Sequence, residues 1–112
     1  MKFPEIGEMV ERVTFQKPAR VDDEGGGKRI VWLNIFDVWA RVEPISSREY
    51  FFAQANQAEA THRIRVRYRS DINQRMKISH RAKIYEITSV IDMGGSRRFL
   101  ELLCVESKEN EN

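Results

Sequence analysis

Along the segment VERVTFQK, Val13 and Phe15 alternate with Arg12, Thr14 and Gln16. A period of two is that of a strand with one face in a core, and it predicts a strand from about Val10 to Lys17. A longer, aromatic-rich strand is predicted from Ile30 to Val42, through Trp32, Ile35, Phe36, Val38 and Trp39, with both tryptophans expected in the core. Between them PARVDDEGGGKR combines Pro18, three acids and three glycines, and predicts a flexible connection over 18–29. Pro44 has no ladder donor and ends the second strand, and Ser46 with Glu49 forms a capping box that predicts a helix to about Gln57. Its apolar stripe is Tyr50, Phe51, Phe52, Ala53, Ala55 and Ala58, and three aromatics in succession imply that one faces outward to a partner.

The clearest alternation is THRIRVRYR, with Ile64, Val66 and Tyr68 on one face and Arg63, Arg65, Arg67 and Arg69 on the other. After a turn at Ser70 to Asn73, strands are predicted over Arg75–Ser79 and Ala82–Ile91. Gly94 and Gly95 supply a hairpin turn into a last strand containing Phe99, Leu100, Leu102, Leu103 and Val105. The tail 107–112, SKENEN, has no apolar anchor and is expected to be disordered. Six short antiparallel strands protect their edges most simply by closing on themselves. The expected fold is therefore mainly β, a small antiparallel β-barrel of about six strands with one α-helix after the second, in a single domain over 1–106.

Composition narrows the function. At 112 residues, 41% hydrophobic and 32% charged, the chain has the means for one core and no room for a multi-domain enzyme. No apolar run approaches the roughly 18 residues that cross a bilayer, so no membrane partner is expected. Cys104 is the sole cysteine, which excludes an internal disulfide and a thiolate metal cluster; no cofactor is expected. DDEGGG lacks the ligand spacing of a calcium loop, and GGGKR lacks that of a phosphate loop. A nucleophile built from Cys104 with His62 or His80 is disfavoured, because Cys104 lies in an apolar strand. The formal charge is only +2, but it is uneven. Residues 1–60 hold 8 basic against 10 acidic side chains and residues 61–112 hold 11 against 7, giving −2 and +4.

The order of these features resembles the phage head–tail joining family, the head-closure or stopper proteins of long-tailed bacteriophages. The likeness runs from Arg12 to Cys104. It is most specific from Trp39 to Arg69, where W-A-x-V-E-P, S-R-E-Y, the Gln/Ala-rich segment and T-H-R-I-R-V-R-Y-R follow in order, and the terminal L-E-L-L-C matches as well. The connection HRAK, His80 to Lys83, departs from the family's glycine-containing hairpin.

The resemblance implies a virion protein, assembled in the bacterial host cytoplasm as a dodecameric ring beneath the portal and adaptor. Such a ring closes the channel on packaged double-stranded DNA and presents a docking surface to a tail-completion or terminator protein. It implies a channel gate at Arg20, Asp22, Asp23, Glu24, Gly25, Gly26, Gly27, Lys28 and Arg29. The arginine face has three readings: a solvated strand, a contact with acids on a neighbouring copy or the adaptor, or a grip on DNA. Four like charges on one line repel, and Glu5, Glu8, Glu11, Asp22, Asp23 and Glu24 could relieve them across a subunit boundary. Arg63, Arg65, Arg67 and Arg69, with Arg48 and Tyr50, are thus the expected inter-subunit or adaptor contacts. The alternative function is a nucleic-acid-binding barrel that uses Arg63–Arg69 with tryptophan stacking.

Overall fold

The computed structural model describes residues 6–45 and 60–107. Six strands occur there: β1 (Glu11–Asp22), β2 (Lys28–Pro44), β3 (His62–Arg67), β4 (Lys77–His80), β5 (Lys83–Asp92) and β6 (Phe99–Glu106). They close into an antiparallel barrel in the order β1-β2-β3-β6-β5-β4, with β4 returning to β1 over Thr14–Gln16. Closure leaves the barrel itself no free edge. The helix expected from Ser46 to Gln57, and with it Arg48 and Tyr50, lies outside the described residues.

Alternation sorts the strands as the hydrophobic pattern requires. Val13 and Phe15 of β1, Ile64 and Val66 of β3, Tyr85 and Ile87 of β5, and Leu100, Leu102 and Cys104 of β6 fill the interior with Ala40 and Ile78. Ile72 and Met76, from the link between β3 and β4, join the same core. A smaller cluster of Met9, Met93 and Phe99 packs apart from it. Trp32 and Trp39 are not in the core: they are 36% and 54% exposed. On β2 the inward positions are Phe36, Val38, Ala40 and Val42, so strand parity turns Trp39 outward. In V-W-A-R-V both parities carry apolar residues, and the pattern alone does not choose between them.

The flexible connection expected over 18–29 is mostly paired strand. β1 and β2 stay in register from Lys17↔Leu33 to Asp22↔Lys28, leaving only 23–27 as the turn. Pro18 is accommodated because β4 has ended by Gln16, so β1 is an edge strand there and needs no outward donor. A register shift between Phe15 and Gln16 leaves Ile35 unpaired, and above this bulge the ribbon leaves the barrel as a two-stranded arm. Six residues of strand add about 20 Å, in keeping with a molecule measuring 51 × 29 × 25 Å.

Two turns have notable backbones. In HRAK the pair His80↔Lys83 closes a two-residue hairpin with Arg81 at φ 53° and Ala82 at φ 65°, so side-chain-bearing residues occupy the left-handed region that glycine or asparagine fills more easily. The Gly94–Gly95 turn forms as expected, with both glycines at positive φ. Ser107, assigned by sequence to the disordered tail, donates its N–H to the Ile84 carbonyl at 2.7 Å. The rest of that tail lies outside the described residues.

Candidate interaction surface

The arginine face divides into two halves. Arg63 Nη1 donates to Glu43 Oε1 at 2.9 Å, and Arg65 Nε to Glu101 Oε1 at 3.0 Å. Glu43 faces Arg63 from β2 and Glu101 faces Arg65 from β6, so the flanking strands carry the counter-charges that the sequence reading sought on a neighbouring chain. Arg69 forks onto Asp71 with two 3.0 Å bonds and stacks its guanidinium 3.7 Å from the centre of the Phe36 ring. That fork holds the Asp71 carboxyl below its usual range and lifts Arg69. Arg67 is exposed and makes no ion pair among the described residues.

Arg67 borders an open cleft of about 490 Å³ with Arg12, Asp37, Val38, Trp39, Met9 and Arg69. The Arg12 guanidinium lies 5.1 Å from the Trp39 ring centre, and the Arg12↔Trp39 pairing places both on the outer face. Asp37 accepts a 2.7 Å hydrogen bond from Thr14 Oγ1. The cleft thus presents an exposed indole between cations, a surface suited to an acidic segment carrying an apolar anchor. Sequence reasoning named Arg67 and Arg69 but missed Arg12. Its signal was available in the register that a hairpin between the first two strands imposes.

The residues of the expected gate lie on the outer half of the arm and at its apex. Asp22 pairs with Lys28. Asp23 Oδ1 accepts the N–H groups of Gly25 and Gly27, each at 2.9 Å, while Gly26 takes φ 85°. Arg20 faces Ile30 and Val21 faces Arg29 across the ribbon. Ile30 and Leu33 are 58% and 45% exposed, and Lys77 Nζ sits 4.3 Å from the Trp32 ring centre at the arm's root.

Among the described residues the remaining titratable groups do not form a catalytic set. Cys104 is fully buried and burial pushes its thiol up to about 12, so no thiolate forms near neutral pH although His62 is its cross-strand partner. His80 bonds Glu11 at 2.9 Å instead, and Arg81 joins the same carboxylate at 3.1 Å. Among the described residues no three His, Cys, Asp or Glu side chains gather as metal ligands, and no helix is long and apolar enough to cross a membrane.

The described residues thus form a small closed β-barrel with a projecting two-stranded arm, on which Ile30 and Leu33 stand exposed among charged side chains. Residues 4–107 match the family described as phage head completion protein, and the chain belongs to that family. It is 30% identical over 110 residues to the head completion protein gp16 of Bacillus phage SPP1, spanning 97% of this chain and 93% of that protein. Among solved structures, protein SF1141 from Shigella flexneri 2a is similar with a TM-score of 0.77 at 31% identity, covering 95% of this chain and 99% of the other. A chain of the virion of a native gene transfer agent particle shares the fold, with a TM-score of 0.56 at 18% identity over 83% of this chain and 89% of its own. The protein is therefore a structural component of a phage head rather than an enzyme.

Proposed function

We propose that this head completion protein assembles as a ring in the head–tail connector, where it sits on the portal-side adaptor, closes the channel on packaged DNA and receives the tail. The observation that carries this reading is the pairing of a sealed barrel, which has no edge to offer, with an arm that extends well beyond it. Contacts must then come from projections and clefts, and unlike surfaces on one molecule suit cyclic assembly. Because 17–22 and 28–33 are paired strand, this reading gives the arm to subunit contacts instead of the free gate that the resemblance implies for Arg20–Arg29. The alternative of nucleic-acid binding through Arg63–Arg69 loses support, since Arg63 and Arg65 are committed to Glu43 and Glu101.

Removing the chain from the parent phage tests the proposal. DNA-filled heads that lose their DNA and carry no tails are the expected result. Tailed particles with retained DNA would overturn it. Steep salt-dependent retardation of oligonucleotides by the isolated protein would favour the nucleic-acid reading instead.

A further inference from the structure

The arm and the cleft fit one another in chemistry but cannot meet within one chain. Ile30 near the arm's apex and Trp39 at the cleft lie nine residues apart on β2, which is about 30 Å of extended strand. The apex carries Asp22, Asp23 and Glu24, and of these Glu24 has no partner among the described residues. The cleft carries Arg12 and Arg67, neither of which forms an ion pair among the described residues, while its one carboxylate, Asp37, accepts from Thr14. Each has an exposed apolar side chain beside its charges, Ile30 on the arm and Trp39 in the cleft.

We infer that the arm of one copy docks head-to-tail in the Arg12–Trp39–Arg67 cleft of a second copy, with Glu24 against the two guanidiniums and Ile30 against the indole. The spacing agrees. The minor extents of the molecule are 29 and 25 Å, so a neighbouring barrel in contact has its centre about one arm's reach away. The docked apex also completes what each partner lacks. An isolated two-stranded ribbon is marginal in water, and burying its apolar side chains against a second copy stabilises it. The contact joins two different patches, so it propagates from copy to copy and closes when the rotation allows. It deepens the assembly role proposed above and rests on that role for the setting in which copies meet.

The test uses assembled particles carrying Glu24→Cys and Arg67→Cys in one chain, oxidised with copper phenanthroline and resolved without reductant. Cys104 does not interfere, because it is fully buried and its thiol stays protonated. A ladder of covalent multimers beyond the dimer is expected, with each single variant stopping at dimer or below. Particles that contain the double variant but show no ladder would overturn the inference while leaving the virion role standing. Cross-linking of Arg67→Cys to another virion protein would replace the second copy with that protein. Absence of the wild-type chain from particles would instead remove the assembly role itself. Should the cysteine variant fail to incorporate, charge reversal decides: Arg67→Glu and Glu24→Arg each lower incorporation at least tenfold, and combining them restores it. Failure of the combination to restore incorporation counts against the contact.

Discussion

Arg65 and Glu101 stand directly opposite one another across β3 and β6, and the guanidinium donates to the carboxylate at 3.0 Å. Both are half-buried, and Glu101 also lies 3.9 Å from Arg63. This cross-strand neutralisation separates Arg63 and Arg65, which meet carboxylates of the flanking strands, from Arg67, which meets none among the described residues.

Reversing Arg65 therefore acts on stability. Arg65→Glu sets two carboxylates opposite each other and is expected to cost about 1 kcal/mol, with Glu101→Arg in the same chain recovering most of it. Arg67→Glu should leave the denaturation midpoint unchanged. Urea unfolding of the four proteins checks this, and equal losses at Arg65 and Arg67 would contradict the division of the face.

The turn at Arg81 and Ala82 offers a gain. Ala82 sits at φ 65°, a region that costs a side-chain-bearing residue about 1–2 kcal/mol, so Ala82→Gly is expected to raise stability by about 0.5–1 kcal/mol once the glycine's unfolded-state entropy, about 0.5–1 kcal/mol, is subtracted. Arg81 is the poorer site to change, since it also pairs with Glu11. A lower urea midpoint for Ala82→Gly would show that the glycine's chain entropy outweighs the relieved strain.

His62 gives stability a pH dependence. Burial lowers its pKa from 6.5, with Glu106 opposing, and its ring packs edge-on to Tyr85 at 4.9 Å. The unfolded chain takes up the proton first, so stability should fall as pH drops through 6.5 and level once the folded value is passed. Glu11 acts in a lower window. The hydrogen bond from His80 and the charge of Arg81 hold its carboxyl below 4.5, so its contribution persists above that pH and is lost as pH falls through its folded value. His62→Gln should flatten only the upper window in a pH series of urea midpoints.

Asp23 holds the apex together. Its carboxylate accepts two backbone donors of the glycine turn, so Asp23→Ala should raise hydrogen exchange over 17–33 while leaving the barrel amides protected. In wild-type protein the same amides should exchange faster when free than in assembled particles. Equal protection of arm and barrel in the free protein would show that the arm needs no partner.

Much of this architecture was legible in the chain. Val13 and Phe15, Ile64 and Val66, and Leu100 and Leu102 alternate with polar neighbours. A period of two buries one set whatever the strands pair with, so strand number and most of the core follow from local pattern. The apolar setting of Cys104 likewise disfavours a reactive thiol, in keeping with the burial that pushes its thiol up to about 12. Where alternation was ambiguous or the composition misleading, only tertiary pairing decided. Trp39 has apolar residues on both sides in sequence, and its outward direction follows from the parity that buries Ala40. Pro18 and the glycine run read as a break, yet β1 continues to Asp22 because the proline falls where β4 has ended and no ladder donor is missed. The arginines at 63, 65, 67 and 69 are equivalent by spacing alone. Their fates diverge because Glu43 and Glu101, 20 and 38 positions from Arg63 in the chain, are brought beside the first two by barrel closure, while Arg67 stands next to Trp39 and Arg12. Short-range periodicity records which face of a strand is buried; which charges meet depends on contacts between residues far apart in the chain, and those exist only once the barrel has closed.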